Sequence, residues 1–318
     1  MKVCVTGGTG SLGTALVRRF LAEGAARVVV LSRDEMKQAA MMEAIDHPNL
    51  RCFLGDVRDR NRLVDGFYGC DTIVHAAALK RVDAGAYNPQ EIRKTNIQGS
   101  ANVLSAALEA GIGRVLMISS DKACMPTNVY GASKAMMEHE AVAFNALSVP
   151  RGTRVSVARY GNVLGSRGSV VHTWRTAARQ GKALQLTSGQ MTRFWLTLDD
   201  AAGVVLDALH RMEGGEIFVP ILPAMAMIDL VQAIAPGADL KIVGLRPGGE
   251  KLHEMLVNDE ESQRLTAAGN LMWAIVPHLH PWREKGWPPL LKAPEAYTSE
   301  AAPRLGVEEM KKMLEGVA

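Results

Sequence analysis

Along the first two-thirds of the chain, short β-branched runs alternate with longer stretches whose apolar positions recur every three to four residues. The runs at 2–6, 27–31, 51–54, 72–75, 114–119, 154–159 and 216–219 predict strands. Helical periodicity begins near Leu12, Glu35, Arg60, Pro89, Tyr130, Ser169 and Thr197. Strands alternating with helices predict an α/β fold, a doubly wound parallel sheet covered on both faces. Helical patterns at 169–180 and 227–235 fall outside that alternation and predict a second lobe over the sheet's carboxyl edge. We therefore expect a sheet domain over 1–165, with a return segment near 196–222. A smaller lobe is expected from 166–195 and 223–318. From Pro277 the chain turns rich in Pro, Trp and charge, then ends in a helical stretch at 307–314.

Composition narrows this little. Of 318 residues, 47% are hydrophobic and 22% charged, with a formal net charge of +3. That is ordinary for a water-soluble globular chain and argues against a nucleic-acid partner. No apolar run reaches membrane-spanning length, so no membrane association is expected. Met1 leads straight into a strand-like run without a basic and then apolar leader, so no secretory signal is expected. Cys4, Cys52, Cys70 and Cys124 lack metal spacing and fall in or beside apolar runs. Buried, reduced thiols and a cytoplasmic setting are the expectation, with no metal.

The first candidate site is Thr6-Gly7-Gly8-Thr9-Gly10-Ser11-Leu12-Gly13, between the first strand and the first helix. Glycine allows the tight turn and a close backbone approach to a pyrophosphate, and the helix start favours negative charge. A Rossmann-type dinucleotide site is the reading. Binders of the unphosphorylated dinucleotide carry an acid after the second strand for the ribose. Here the strand ends Leu31-Ser32-Arg33, with Lys37 a turn later, which favours NADP; Asp34 keeps NAD open. Asp56 and Val57 after the third strand, and Ala76, Ala77 and Ala78 after the fourth, fall where the cofactor would pass. His75 reads as structural.

The second candidate site joins Ser119-Ser120-Asp121-Lys122 to Tyr130-Gly131-Ala132-Ser133-Lys134. Residues four apart on a helix share a face, and an ammonium beside a phenol favours the phenolate. Tyr130 then reads as a base with Lys134 lowering its pKa, and Asp121 and Lys122 add an acid and an amine. A redox step coupled to proton transfer is the chemistry expected.

With these motifs the chain resembles the extended short-chain dehydrogenase/reductase superfamily. More narrowly it is similar to the inverting UDP-N-acetylglucosamine 4,6-dehydratases of bacterial surface-sugar pathways. The likeness spans roughly residues 1–257. Matching strings include Arg159-Tyr160-Gly161-Asn162-Val163 and Gly165-Ser166-Arg167-Gly168-Ser169, and the most distinctive are Met191-Thr192-Arg193-Phe194-Trp195 and Arg246-Pro247-Gly248 through Glu250-Lys251-Leu252-His253-Glu254. The resemblance implies that Tyr130 deprotonates the sugar 4-hydroxyl, Ser120 binds the 4-oxygen, Lys122 is the base at C5, and Asp121 protonates the departing 6-hydroxyl. It also implies that Lys80, Asn96, Lys134 and Tyr160 serve the cofactor, with Asn96 ordering the catalytic helix. Lys80, Asn162, Arg167, Ser169, Arg193, Arg246 and Glu250 would hold a UDP-sugar, and the protein would be a homo-oligomer. Phe194 and Trp195 read as core. Two departures leave the nucleotide and sugar open: Gly249 is an extra glycine after Arg246-Pro247-Gly248, and Arg81-Val82-Asp83 stands where the family has His-Val-Pro. A UDP-sugar 4-epimerase and a non-catalytic NADP-binding protein are the competing readings; the first needs no Asp121-Lys122 pair, the second no intact Ser120, Tyr130 and Lys134.

Overall fold

The computed structural model describes residues 1–244, 249–278, 282, 287–291 and 295–317. Seven parallel strands form its centre: β1 (Lys2–Thr6), β2 (Arg27–Ser32), β3 (Leu50–Leu54), β4 (Thr72–His75), β5 (Arg114–Ile118), β6 (Arg154–Ala158) and β7 (Ile217–Pro220). Two further strands, β8 (Leu265–Ala267) and β9 (Met272–Ile275), complete it. The order is β8-β9-β7-β6-β5-β4-β1-β2-β3. Pairing is parallel from β3 to β7 and antiparallel for β9 and β8. The strand order reverses between β1 and β4, which opens a crevice at their carboxyl ends.

The parallel strands are apolar on both faces because helices cover both. Val3, Val5, Val28, Val30, Ile73, Val115 and Leu116 are wholly buried. Helix α1 (Ser11–Ala22) packs against α6 (Leu198–Arg211). Helix α3 (Arg60–Phe67) packs on α4 (Gly99–Glu109), and α4 on α5 (Val129–Ser148). Side-chain caps fix where these helices start. Asp34 accepts from the Lys37 amide at the head of α2 (Glu35–Ile45), and Asn128 accepts from the Gly131 amide at the head of α5. Thr197 and Asp200 form a capping box on α6.

The single helix expected from Pro89 is three pieces: Pro89–Ile92, a π-helical turn at Arg93–Gln98, and α4. The wide turn carries Asn96 to the backbone of Leu79 and to Ser133 on α5. A short helix, Val82–Tyr87, was not expected.

A second apolar core lies outside the sheet. Leu164, Val171, Trp174, Leu184, Leu186, Trp195, Met225, Leu230 and Met310 build it. Helices Val170–Arg179, Met227–Ile234 and Val307–Glu315 contribute. Phe194 faces the main core and Trp195 this one, as adjacent strand positions should. One boundary needs correcting. Residues 223–318 were assigned wholly to the second lobe, but β8 and β9 extend the main sheet. Their short, weakly patterned runs gave no strand signal.

Candidate active site

One cleft runs along the carboxyl ends of β1, β2 and β4 to β6 and continues under the second lobe. The glycine turn forms its floor. Gly7 has φ +68°, and a Cβ there would sit 2.8 Å from the Ala77 backbone. A Cβ on Gly13 would sit 2.5 Å from the Gly7 carbonyl oxygen. Only glycine fits either place. The cradle thus has the shape a dinucleotide pyrophosphate requires, at the amino terminus of α1. Gly10, Ser11, Leu12, Ala76, Ala77, Ala78, Val57, Lys80 and Tyr160 also line it. Arg167, from the second lobe, donates to the Thr9 carbonyl, and its amide donates to Ser11 Oγ at 3.0 Å.

Three residues expected at the cofactor do not line the cleft. Thr6 is buried, its hydroxyl 2.7 Å from His75 Nδ1. His75 Nε2 lies 3.1 Å from Ser100 Oγ, and burial pushes the imidazole down to about 3, so it stays neutral and structural. Asp56 is held by Arg58 at 2.7 Å. Asn96 is buried against Leu79 and Ser133 and reaches the site only through them.

At the end of β2, Ser32, Arg33 and Lys37 line the cleft. The Ser32 hydroxyl accepts from Gln38 at 3.0 Å. Asp34 spends its carboxylate on the α2 cap and on the Lys37 ammonium, and those bonds hold it below the usual carboxylate range.

Tyr130 and Lys134 share the cleft-facing side of α5, both buried. Lys134 Nζ donates to the Ile118 carbonyl at 2.7 Å, and burial brings its pKa down to about 8. Burial raises the Tyr130 phenol, and the Lys122 ammonium and a hydrogen bond with Ser120 pull it back. The cation nearest in effect to the phenol comes from the other motif, because α5 turns the Lys134 amine toward the end of β5.

That other motif forms a compact charged cluster. Lys122 Nζ lies 3.0 Å from Asp121 Oδ1, 3.2 Å from Asn162 Oδ1 and 3.3 Å from Glu254 Oε1. Ser120 Oγ donates to Asp121 Oδ1 at 2.8 Å. Asp121 is wholly buried beneath the cleft, and burial raises its pKa against the pull of Lys122. Burial opposes the charge on Lys122, but Asp121 and Glu254 outweigh it and hold the ammonium protonated. Asp121 Oδ2 and Glu254 Oε2 have no hydrogen-bond partner among the described residues.

Glu254 had no role in the sequence reading, although it closes a string already singled out. Two residues expected at the substrate also have partners within the protein. Arg193 lines the cleft, but its guanidinium is committed to the carbonyls of Thr192, Leu252 and Lys251 and to Glu254 at 3.8 Å. Asn162 turns its amide oxygen to Lys122. Of the remainder, Ser169 heads helix Val170–Arg179 with its buried hydroxyl unpartnered among the described residues, and Glu250 accepts from Thr187 at 2.9 Å. Arg246 lies outside the described residues.

The profile of a family described as polysaccharide biosynthesis protein matches residues 3–276. The chain belongs to that family. Its architecture and motifs are those of an extended short-chain dehydrogenase/reductase. Within the family it is 43% identical over 280 residues to the UDP-N-acetylglucosamine 4,6-dehydratase (inverting) of Campylobacter jejuni, covering 87% of this chain and 83% of that one. It is also 40% identical over 265 residues to the UDP-glucose 4-epimerase of Rickettsia massiliae, covering 81% and 77%. Pen from Bacillus thuringiensis superposes with a TM-score of 0.91 at 30% identity, over 99% of this chain and 96% of that one. DesIV, the dTDP-glucose 4,6-dehydratase of Streptomyces venezuelae solved with NAD and TYD, gives 0.72 at 27%, over 79% and 86%.

Proposed function

We propose that the protein is a nucleotide-sugar 4,6-dehydratase that converts UDP-N-acetylglucosamine to the 4-keto-6-deoxy sugar with inversion at C5. One observation carries this: Lys122, part-exposed in the cleft beside the Tyr130 phenol, is paired at 3.0 Å with Asp121 buried directly beneath it. Oxidation alone needs Tyr130 and Lys134. Removing water from C5 and C6 needs a base and an acid as well, and the second motif supplies both.

A nicotinamide dinucleotide in the Gly7–Gly13 cradle would take hydride from C4 and return it to C6. The rest falls to side chains. Tyr130 takes the 4-hydroxyl proton, with Ser120 hydrogen-bonded to the same oxygen. The 4-ketone acidifies C5–H. The Lys122 amine removes that proton, the C–H electrons form the enolate, and Asp121 protonates the 6-oxygen as the C6–O bond breaks and water leaves; once hydride has reached C6, a solvent-derived proton added from the opposite face completes C5 with inversion. Lys122 must be neutral and Asp121 protonated at that moment. One proton passing across their 3.0 Å contact creates both states together. Dehydration of the cleft by bound sugar favours this exchange, since a neutral pair suffers less from low dielectric than an ion pair.

We infer NADP as the cofactor. Supporting this, Ser32, Arg33 and Lys37 line the cleft at the end of β2, and Asp34, which lines it too, already accepts from the Lys37 amide and ammonium. A 2′-phosphate suits a hydroxyl and a guanidinium. The four unpaired cysteines support a reducing, cytoplasmic setting, and homo-oligomerisation follows from the family resemblance. No helix of the described residues is long and apolar enough to cross a membrane.

Purified protein incubated with UDP-N-acetylglucosamine in deuterated water and followed by NMR tests the proposal. A 6-deoxy-4-ketose with deuterium at C5, in the inverted configuration, is expected. A changed C4 configuration with the C6 oxygen retained supports epimerisation instead. No turnover of UDP-, GDP- or dTDP-sugars defeats both.

A further inference from the structure

Lys122 sits in a clamp with two carboxylate jaws. Asp121, its chain neighbour, holds one side at 3.0 Å, and Glu254, from the second half of the chain, holds the other at 3.3 Å. Glu254 is 3% exposed and has Arg193 Nε and Lys251 Nζ each at 3.8 Å. Its backbone is fixed on both sides: its amide donates to Ser299 Oγ at 2.9 Å, and its carbonyl accepts from the Ser299 amide at 2.8 Å. Ser299 is buried and also bonds Thr192. Strand Tyr297–Thr298 pairs with Met255–Val257 just beyond. A carboxylate on a backbone held this firmly, with Oε1 on the Lys122 ammonium and Oε2 facing Lys251 at 3.8 Å, does not follow the lysine when it moves.

We propose that Glu254 is a positioning residue of the dehydration, setting the charge and the parking place of the Lys122 amine through its fixed carboxylate. This rests on the dehydratase reading and adds a residue to it. The charged and titratable groups facing Lys122 are Asp121, Glu254, Arg193, Tyr130 and Lys80. Two of these are anions. Asp121 loses its charge in the step that arms the base, which leaves Glu254 as the anion that opposes release of the lysine proton. Glu254 thereby raises the pH at which Lys122 can act, and keeps the resting amine protonated and unreactive. It also keeps the cluster's cations from repelling one another when Asp121 is neutral.

Two measurements on the whole protein with its cofactor test this. The first is competitive trace acetylation, with the Lys122 peptide quantified by mass spectrometry; the reaction rate follows the neutral fraction of the amine. Removing an opposite charge at this distance shifts a pKa by about one to three units. Glu254→Gln is therefore expected to speed Lys122 acetylation about tenfold or more at fixed pH. The second is the pH profile of kcat. The reacting state forms by proton transfer inside the Asp121–Lys122 pair, so the acid limb reports the pair's lower titration; removing a neighbouring anion in Glu254→Gln should move that limb to lower pH, by about one to three units. Glu254→Asp keeps the charge but draws it back, and should fall between. If Glu254→Gln does not fold, the Glu254→Asp shift decides alone. Unmoved acetylation and an unmoved limb, with only a lower rate, would overturn the proposal and make Glu254 merely structural. A shifted acetylation rate in a protein that turns over no nucleotide sugar would retain the Glu254–Lys122 coupling and remove the dehydratase reading.

Discussion

Two clusters of buried charge lie close together in this molecule, and they are built on opposite plans. Arg159 is 2% exposed, and every N–H of its guanidinium is used. It meets Glu138 at 2.9 and 2.5 Å, Glu261 at 2.8 and 2.7 Å, and the Leu256 carbonyl at 2.9 Å. The Lys122 cluster spreads over 3.0–3.8 Å and leaves one oxygen of each carboxylate without a hydrogen bond among the described residues. Buried polar groups are ordinarily satisfied. The saturated cluster ties α5 to the segment Asp259–Ser262 and has nothing left to offer a ligand. The unsaturated one has hydrogen-bonding capacity in reserve, which marks it as the reacting centre.

The sharpest way to break this contrast is to remove each cation. Lys122→Ala is expected to cut dehydration by about 10²–10⁴-fold, the usual worth of a general base, with cofactor still bound. Loss of cofactor from that variant would place Lys122 in the binding site instead. Arg159→Met should act the other way round. It strands two buried carboxylates, and breaking such a pair costs about 3–5 kcal/mol in denaturant unfolding. A loss under 1 kcal/mol would show that saturation does not mark a structural cluster.

A subtler test uses the loop before Glu250. Gly249 has φ +80°, and a Cβ there would stand 2.9 Å from the Thr127 carbonyl. Gly249→Ala should cost about 1–3 kcal/mol of local strain, read as a raised KM for the nucleotide sugar. An unchanged KM would detach this loop from binding.

The smallest expected effect is the response to acid. The Glu261 carboxyl is held low, burial being outweighed by its Arg159 bonds. Its stabilisation is therefore full above the unfolded carboxyl value of about 4.3 and is lost as pH falls through the lower folded value. Asp121 is shifted up, so its burial penalty is instead relieved on acidification. Stability measured from pH 6 to 3 should fall in the native protein and fall less steeply in Arg159→Met. Equal slopes would mean that Glu261 does not supply the acid sensitivity.

Much of this was readable before any coordinates. The starts of α2, α3 and α6 were legible because Asp34, Asp59 and Thr197 cap them through local contacts. The glycine cradle and the Tyr130–Lys134 face were legible because their chemistry sits within a turn or two of chain. Glu254 was not, since its partner Lys122 lies in the other half of the chain and meets it only through tertiary packing. Arg193 misled for a related reason. Its string placed it at the cleft, but the string does not tell that four acceptors already occupy its guanidinium. The tail strands β8 and β9 were missed because three or four residues carry too little periodicity.

Asn128 does two jobs. Its side-chain oxygen closes the first turn of the helix bearing Tyr130, and its amide nitrogen donates to the Gly249 carbonyl at 3.2 Å. In the proposed reading, the loop that would hold the nucleotide and the helix that carries the phenol are thus tied through one side chain. A substrate truncated at its nucleotide should then lose turnover as well as affinity, because its handle is also the lever that sets the base.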